Sequence, residues 1–481
     1  MTSSSNTNSY MFKTEPWGHQ LMALDFLYNR KIGALYTDMG TGKSKVMIDL
    51  IVNKGFKTTL IVCTKKGCGN WIKQFKIHSD ICEDFLVNLS EKSSEGKITL
   101  LKEKTKSAQK NPADFEQCIL VCNYDSIWRE PFGSKLLKTH IDCVICDESH
   151  RIKTPSSKCS KFLSKLGKTV EYRYLVTGTP LAENPTDIYA QYRFLDPAIF
   201  GSSLTLFRGR YENLDVARTT QVHYRVLDKR QPYINLDELK EKMFSVAFMA
   251  KSEVKLPKRL NIIQTFRLGQ KAIQCYKDIT KEGVIELEEG AMTVENILSL
   301  SLRQQQITSG FLPLFDEDFS PIGEKNIDDS KLEMLKELIE GLPKDEPVVI
   351  FAKFRKDLDN IRALCESMNV GYSEISGKCD EEEDWQAGKT SILGVQYASG
   401  SESITLTRAH YCIYYSLTYS LAQYRQSKKR IHRPGQERKC IYYYLVAELD
   451  KGKSIDRIIV DALIKKGDIV DSIVKEYSKN T

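Results

Sequence analysis

A short run of glycine, threonine, lysine and serine stands near the start of the chain. The run Gly40-Thr41-Gly42-Lys43-Ser44 precedes an apolar stretch of helical character over residues 46–51. Glycines let backbone N–H groups curl around phosphates, a lysine neutralises their charge, and a serine hydroxyl can ligate Mg²⁺. The longer form of this pattern has another glycine where this chain has Thr37, and an accidental turn is the alternative. We interpret the run as a phosphate-binding loop for ATP, with Ser44 as a Mg²⁺ ligand.

Two adjacent carboxylates follow a second apolar run further along the chain. The sequence there is Asp147-Glu148-Ser149-His150. In a site that hydrolyses a phosphoanhydride, Asp147 would hold Mg²⁺, and Glu148 would orient and deprotonate the attacking water. A solvated acidic turn that pairs with Arg151 and Lys153 is the alternative. The loop, the spacing and the acid pair together predict ATP hydrolysis.

A hydroxylated turn follows the next apolar run, with the sequence Thr177-Gly178-Thr179-Pro180. Threonine, glycine and proline are ordinary turn residues, so this motif is weak when taken alone. In order after the loop and the acid pair, it predicts a turn that responds to the nucleotide and passes its state to a second domain.

Two arginines three residues apart lie in the segment Gln426–Gln436, which reads QSKKRIHRPGQ. Arg430 and Arg433 would share one face of a helix and could reach the γ-phosphate of ATP across a cleft. Such arginine fingers accelerate turnover on the order of a thousandfold or more. The alternative is a basic nucleic-acid patch, which fits Lys428 and Lys429 better than the spaced arginines.

The composition describes a globular protein of more than one domain. Its 481 residues exceed what one hydrophobic core usually supports, and 41% of them are hydrophobic and 28% charged. The formal net charge of +7 permits a polyanionic partner without establishing one. No apolar stretch approaches the roughly twenty residues that span a bilayer, and the N-terminus lacks the apolar core of a signal peptide. We expect the protein in the cytoplasm of a bacterial cell or of a virus-infected host, or in the nucleus if its source is eukaryotic.

The thirteen cysteines show no disulfide framework, and several lie inside apolar runs, which indicates a reducing compartment. Cys143 and Cys146 have zinc-ligand spacing, but no second pair with matching spacing stands nearby. Buried strand cysteines are the favoured interpretation of this pair.

Continuously apolar runs bounded by turn residues recur in two groups, as expected of parallel strands covered on both faces. They cover residues 59–63, 118–122, 143–146 and 174–176, then 347–351, 392–395, 411–415 and 441–446. The pattern predicts an α/β protein with two sheets. The predicted organisation is a disordered stretch over 1–10, a first lobe over 11–197, a helical insertion and linker over 198–328, a second lobe over 329–450 and a C-terminal helix over 451–481.

In their order along the chain, these motifs resemble those of superfamily-two helicases of the Swi/Snf branch. The resemblance also rests on the segment Pro16–Gln20, on Asn123-Tyr124 and on the ending His432-Arg433-Pro434-Gly435-Gln436, the most branch-specific of the motifs. It covers nearly the whole chain and implies two tandem RecA-like lobes. The acidic box reads DESH where the family usually has DEAH. A second departure is Glu402-Ser403-Ile404-Thr405-Leu406, where a glycine followed by Leu-Asn-Leu is usual.

The resemblance implies further site residues. Gln20 would read the edge of adenine and Trp17 would pack against the base, although Trp17 could equally be a core aromatic. Gln426 would join the ATP contacts. Residues along a DNA phosphate track would be Thr64, Asn123, Tyr124, Lys353, Ser399 and Gly400.

The leading hypothesis for function is an ATP-dependent translocase on double-stranded DNA, monomeric and insensitive to base sequence, which uses ATP and Mg²⁺. One alternative is a strand-separating helicase of replication or recombination, which shares every ATP motif. Another, of a different class, is a non-catalytic DNA-binding subunit of a larger complex. The presence of Lys43, Asp147, Glu148 and both arginines argues against lost catalysis.

Overall fold

A computed structural model of the chain describes residues 10–37, 40–110, 117–218, 223–227, 231–250, 256–281, 284–287, 290–293, 297–316, 321–397 and 404–477. The fold has two compact units. The first comprises Met1–Glu253 and Asp468–Thr481, and the second comprises Val254–Gly467. Within the described ranges, no helix is long and apolar enough to cross a membrane.

The first unit is built on a seven-stranded sheet in which every neighbouring pair is parallel, in the order β3-β4-β2-β5-β6-β1-β9. Its strands are β1 (Ile32–Thr37), β2 (Thr58–Cys63), β3 (Leu86–Asn88), β4 (Cys118–Asn123), β5 (Cys143–Asp147), β6 (Tyr172–Val176) and β9 (Ala247–Ala250), and an antiparallel hairpin is formed by β7 (Leu214–Arg218) and β8 (His223–Leu227). Every residue of β2 and β4 is buried, because helices cover both faces of a parallel sheet.

The helices of the first unit connect these strands. They are α1 (Gly18–Tyr28), α2 (Lys43–Lys54), α3 (Lys65–His78), α4 (Ser94–Lys110), α5 (Phe132–Leu136), α6 (Lys158–Gly167), α7 (Ile188–Leu195), α8 (Pro197–Phe200), α9 (Leu204–Tyr211) and α10 (Leu236–Phe244), with 3-10 turns at Glu83–Phe85, Ser149–Ile152 and Pro185–Asp187. Parallel strands present all their carboxyl ends at one edge of the sheet, where ligands of open α/β sheets bind. Three adjacent strands there, β1, β6 and β5, lead into the phosphate loop, the threonine turn and the acid pair.

The second unit has its own six-stranded parallel sheet, in the order β10-β19-β18-β15-β17-β16. These strands are β10 (Arg259–Arg267), β15 (Val348–Ala352), β16 (Tyr372–Ile375), β17 (Ile392–Gln396), β18 (Tyr411–Tyr414) and β19 (Cys440–Glu448), and an antiparallel sheet contains β11 (Val284–Leu287), β12 (Gly290–Thr293), β13 (Phe311–Phe315) and β14 (Pro321–Asn326). The helices are α11 (Gln270–Lys281), α12 (Ile297–Thr308), α13 (Ser330–Glu340), α14 (Arg355–Ser367), α15 (Glu382–Gln386) and α16 (Leu421–Ile431). A last helix, α17 (Ile455–Tyr477), begins in the second unit and continues into the segment of the first unit that starts at Asp468. The prediction of an α/β protein with two parallel sheets is confirmed.

The range 198–328 differs from the helical insertion that its sequence suggested. It contains helices α9 to α12, but also strands β7 to β14, and two of these strands belong to the main sheets. Strand β9 extends the first sheet beside β1, and β10 pairs along its length with β19 of the second sheet. The sequence did not indicate β10 as a strand, because this edge strand is largely exposed and its four apolar residues are mixed with five polar ones.

A buried carboxylate joins distant parts of the second unit. Asp456 accepts hydrogen bonds from the Thr308 hydroxyl (2.9 Å), the Ala447 backbone N–H (3.2 Å) and the Lys331 ammonium (3.2 Å). All four residues belong to the interior. The three donors satisfy the carboxylate oxygens of Asp456, which offsets the cost of burying its charge.

The thirteen cysteines are all free thiols, and Cys143 and Cys146 are fully buried in β5. No group of three or more histidine, cysteine or acidic side chains within the described ranges could hold a metal ion. The interpretation of this pair as buried strand cysteines is confirmed. The prediction of disorder over residues 1–10 lies outside the described residues, except for Tyr10.

Candidate nucleotide-binding site

The phosphate loop joins the carboxyl end of β1 to the N-terminus of α2. Gly40 and Gly42 have φ angles of 79° and 77°, a left-handed conformation that glycine adopts without strain. A Cβ atom at Gly42 would lie 2.1 Å from Nε2 of Gln20, so the position has no room for a side chain. The first turn of α2 leaves backbone N–H groups available to an anion, and the loop therefore has the form of a phosphate cradle.

Two side chains of α1 hold this loop from behind. Gln20 Nε2 donates to the Thr41 carbonyl (3.0 Å) and its Oε1 accepts from the Trp17 backbone N–H (2.8 Å). His19 Nε2 also donates to the Thr41 carbonyl, at 3.0 Å. Both side chains are buried. The Gln20 amide thus positions the phosphate loop, and adenine reading by Gln20 stays a prediction.

Trp17 is not a core aromatic, because 51% of its surface is exposed. Its ring lies 5.6 Å from the His19 ring, next to the residues that hold the loop. An exposed aromatic at this place can stack on a planar base. The pairing of Trp17 with adenine stays a prediction.

Inside the loop, side chains bond back to the end of β1. The Thr41 hydroxyl donates to the Thr37 hydroxyl at 3.0 Å, and the Lys43 ammonium donates to the Thr37 carbonyl at 3.1 Å. Thr37, which stands where the longer pattern has a glycine, accepts both hydrogen bonds and thereby supports the loop. Ser44 is the next residue of α2 and is partly buried.

The acid pair begins at the end of β5, where Asp147 is held on both carboxylate oxygens. Oδ2 accepts from Nε1 of Trp71 (2.8 Å), and Oδ1 accepts from the Glu148 backbone N–H (3.0 Å). The Tyr124 hydroxyl donates to the Asp147 carbonyl (2.6 Å). Burial and the neighbouring Glu148 carboxylate raise the pKa of Asp147 to about 6, against the opposing effects of Trp71 and Lys43.

Glu148 has an unusual backbone conformation, with φ 51° and ψ 51° in a residue other than glycine. Its Oε2 accepts from the Thr177 hydroxyl (3.2 Å) and lies 3.4 Å from Nδ1 of His150. Thr177 also accepts from the Thr179 backbone N–H (3.1 Å). Left-handed backbone at a non-glycine residue is a feature of functional sites, and here it directs the carboxylate toward the threonine turn. The acid pair and the threonine turn are therefore directly connected.

Sequence reasoning missed a second connection between these motifs. The buried side chain of Gln191, in α7, accepts from the Ser149 hydroxyl (2.7 Å) and donates to the Pro180 carbonyl (2.7 Å). The sequence also did not predict that Trp71 holds Asp147. A sequence gives no sign of such partners, because both lie on helices remote in sequence from the acidic box.

The residues fit a magnesium ion bound together with a nucleotide. Each Asp147 oxygen receives one hydrogen bond, which leaves lone pairs on the carboxylate for a cation or its water. Ser44 would provide the second protein oxygen. Mg²⁺ in phosphate sites takes few protein ligands and keeps phosphate oxygens and waters, so a cluster of three carboxylates is not required.

In the second unit, the two arginines converge on one backbone carbonyl. Arg430 and Arg433 donate to the Ile404 carbonyl at 3.3 and 3.4 Å, and Arg433 also donates to the Thr405 hydroxyl at 2.9 Å. The prediction that both share one helical face is wrong, because α16 ends at Ile431. The proline that follows Arg433 disfavours a helical conformation for this residue. Gln426 is buried in the same helix.

Lys428 is enclosed by aromatic rings. Its Nζ lies 4.6 Å from the ring centre of Tyr424, 5.1 Å from that of Tyr442 and 5.5 Å from that of Tyr444, and it donates to Oδ1 of Asn261 (3.1 Å). Burial lowers the pKa of Lys428 to about 7. The alternative of a basic patch at this lysine is therefore not supported, because its ammonium faces tyrosines.

Three predicted nucleic-acid contacts lie at the carboxyl ends of β2 and β4. Thr64 caps α3 and accepts from the Gly67 backbone N–H (3.1 Å), and Asn123 accepts from the Ser126 hydroxyl (2.5 Å). Tyr124 is buried with its hydroxyl on Asp147. Tyr124 thus contacts the acid pair directly, and contact of the three residues with DNA stays a prediction.

Lys353, the predicted contact at the end of β15, donates from Nζ to Oε1 of Gln305 and from its backbone N–H to the Ser416 hydroxyl (2.7 Å). Burial lowers the pKa of this lysine. Ser399 and Gly400 lie outside the described residues. The role of Lys353 on DNA stays a prediction.

A parallel sheet with a phosphate loop, a threonine turn and an acid pair on adjacent strands, followed by a second parallel-sheet unit, defines a two-domain P-loop nucleotide-binding protein. The model of the SNF2-related domain matches residues 19–310, and that of the helicase conserved C-terminal domain matches residues 330–435. The chain belongs to the SNF2-related family.

Its relatives are named for DNA repair and chromatin remodelling. The DNA repair and recombination protein RDH54 of Saccharomyces cerevisiae is 24% identical over 414 residues, which cover 81% of this chain and 42% of that protein. The ISWI chromatin-remodeling complex ATPase ISW1 of the same yeast is 24% identical over 91% of this chain and 38% of its own length. The human DNA repair and recombination protein RAD54B is 23% identical over 93% of this chain and 54% of its own length.

The chain thus spans about half or less of the length of these relatives. Among solved structures, the Sulfolobus solfataricus SWI2/SNF2 ATPase core in complex with dsDNA aligns with a TM-score of 0.42 and 18% identity, over 91% of this chain and 89% of that one.

Proposed function

We propose that the chain is an ATP-dependent motor that translocates along double-stranded DNA. The observation that carries the proposal is the arrangement at one edge of the first sheet, where Glu148 is bonded to the threonine turn next to the phosphate loop. Membership of the SNF2-related family and the DNA repair proteins among the relatives support DNA as the track.

In this proposal, the first unit binds and hydrolyses ATP. The loop amides and Lys43 take the β- and γ-phosphates, and Gln20 holds the loop in the required shape. Glu148, oriented by Thr177, accepts a proton from the attacking water. Ser44 and Asp147 would hold Mg²⁺, which neutralises charge on the phosphates when it is bound.

We further propose that Arg430 and Arg433 act on the γ-phosphate. Their shared acceptor, the Ile404 carbonyl, holds both guanidinium groups in one place within the second unit. An arginine contributes charge stabilisation that is worth on the order of a thousandfold in turnover. Hydrolysis would then require both units.

The test is ATP turnover with duplex DNA, single-stranded DNA, branched DNA and RNA. We expect duplex DNA to stimulate the wild type, Lys43→Ala to abolish turnover, and Glu148→Gln to bind ATP while kcat falls by about 10² to 10⁴. Lys31→Ala is a matched control, since Lys31 is an exposed lysine of the same unit whose partner is Glu171. Stimulation by RNA and not by duplex DNA would refute the assignment of the track.

Two further measurements separate the alternatives. Displacement of a labelled strand from a duplex would identify a strand-separating helicase. A wild type without turnover on any nucleic acid would identify a non-catalytic subunit. We also propose a monomer, to be tested by light scattering, and a reducing compartment such as the cytoplasm, which the thirteen free thiols support.

A further inference from the structure

Helix α6 carries a stripe of lysines on its solvent side. Lys158, Lys161, Lys165 and Lys168 are exposed, and Lys168 is the C-cap residue of the helix. Because successive residues of an α-helix turn by about 100°, these four positions fall within an arc of about 80°. The opposite side, represented by Leu163, is buried. The positive charge is therefore concentrated along one line of the surface.

An aromatic ring lies at one end of this lysine stripe. The Lys158 ammonium lies 5.1 Å from the ring centre of Trp128, and the Arg129 guanidinium lies 5.8 Å from it. Helix α5 packs closely on α6, since a Cβ atom at Gly133 would lie 3.2 Å from Cε2 of Phe162. The tryptophan and both cations therefore form one surface with the stripe.

The four lysines of the stripe form no ion pair within the part of the chain that the structure describes. No carboxylate there lies within 4.0 Å of the ammonium groups of Lys158, Lys161, Lys165 or Lys168. Like charges three and four residues apart on a helix repel each other, which disfavours the helix unless an anion lies against them. A polyanion with regularly spaced charges would relieve this repulsion along the whole stripe.

The lysine stripe is continuous with the end of β4. The Ile127 backbone N–H donates to the Asn123 carbonyl (3.2 Å), and the Arg129 backbone N–H donates to the Ser126 carbonyl (3.2 Å). Trp128 therefore lies in a hydrogen-bonded turn that starts at Asn123, one of the predicted DNA contacts. A duplex held at Asn123 could continue along the stripe.

We infer that the lysine stripe of α6, with Trp128 and Arg129, is a second contact surface for the phosphate backbone of duplex DNA. The inference rests on the proposed function and adds a surface outside the family motifs. The ten-residue span from Lys158 to Lys168 is about 15 Å long, enough to cover several phosphates. Ammonium contacts to phosphates do not read sequence, so the surface would increase affinity at any site.

The experiment compares the charge reversals Lys161→Glu and Lys165→Glu, combined, with a matched pair elsewhere in the first unit. Lys102 and Lys106 of α4 are also exposed and four residues apart, so Lys102→Glu with Lys106→Glu gives the same change of net charge. Binding of a labelled duplex and of a labelled single strand is measured by fluorescence anisotropy between 50 and 300 mM salt. Thermal unfolding of both variants confirms that the fold is retained.

Each lost phosphate contact reduces the slope of log K against log salt by about 0.9 and the affinity at 0.1 M salt by roughly tenfold. We therefore expect the α6 pair to lose tens of fold in affinity and about two in slope, and the α4 pair to lose much less. The neutral variant Lys161→Gln with Lys165→Gln removes the same two contacts, so it should lose about as much in slope and nearly as much in affinity, and the charge reversal should be the weaker binder of the two because it adds repulsion.

Equal losses in the two reversed pairs, or a loss confined to single-stranded DNA, would overturn the inference. If duplex DNA stimulates ATP turnover by the wild type and the α6 pair still binds DNA normally, only the lysine stripe is refuted. If duplex DNA fails to stimulate the wild type, the proposed function itself fails.

Discussion

Replacement of Lys45 by methionine tests how a buried ion pair supports the helix that begins at the phosphate loop. Lys45 Nζ lies 2.8 Å from Oδ2 of Asp49, one turn along α2, and the two side chains are only 6% and 3% exposed. Lys45→Met leaves a carboxylate in the interior without its ammonium. Breaking a buried pair from one side costs about 3–5 kcal/mol, so we expect a loss of this size in the free energy of unfolding.

The loss should depend on pH through Asp49. Burial raises the pKa of this carboxyl above its ordinary value even with Lys45 present, and without Lys45 the pKa rises further. The folded chain then holds the proton to higher pH than the unfolded chain, so stability falls as pH rises through that window. Lys45→Met should therefore destabilise the protein less at pH 5 than at pH 8.

Urea unfolding, followed by tryptophan fluorescence at both pH values, measures the effect. The control is the double variant Lys45→Met with Asp49→Leu, which removes both charges and should recover most of the lost stability, because apolar replacement of a buried pair is often neutral or stabilising. If the single and double variants are equally unstable, or if the loss does not change with pH, the uncompensated carboxylate is not the cause.

Two further predictions concern the loop and the tyrosine-enclosed lysine. Gly42→Ala places a Cβ atom 2.1 Å from Gln20 Nε2, at a φ of +77° that alanine disfavours. We therefore expect KM for ATP to rise at least about tenfold. The control is Gly69→Ala, where a Cβ atom meets no atom within 4 Å, and it should leave KM unchanged. Lys428 has a pKa of about 7 when folded and 10.5 as the ordinary value, so the unfolded chain binds more protons between these values and stability rises with pH. Lys428→Met should therefore raise Tm by a few degrees at pH 6.5 and by less at pH 9. The control variant Lys429→Met should leave Tm unchanged at both pH values, and scanning calorimetry measures all of these Tm values.

The central strands could be predicted from the sequence because strands covered on both faces are continuously apolar. The runs at 59–63 and 118–122 correspond to β2 and β4, and that at 143–146 to β5. The edge strands could not be predicted in the same way. Strand β10 is mostly exposed and β9 has only four residues, so neither has a hydrophobic pattern that distinguishes a strand from a linker.

For the candidate site, the sequence indicates which residues bear the chemistry but not which residues hold them. A glycine-rich loop and an acid pair are local in sequence, so their spacing is visible. The hydrogen bonds of Trp71 to Asp147 and of Gln191 to Ser149 join positions 76 and 42 residues apart. Such pairs follow from the packing of helices on the sheet, which no local pattern encodes.

Because Asp456 lies near the end of the chain and pairs with Lys331, the core of the second unit can be completed only late in translation. Strand β10 leaves the ribosome long before β19, its partner in the sheet, and Lys331 long before Asp456. Until residue 456 emerges, the growing chain exposes an unpaired strand and a lysine that belongs in the core. Contacts so remote in sequence form slowly, and the waiting strand is open to aggregation. The first unit's sheet closes with β9, so that sheet can assemble while the second unit is still being translated.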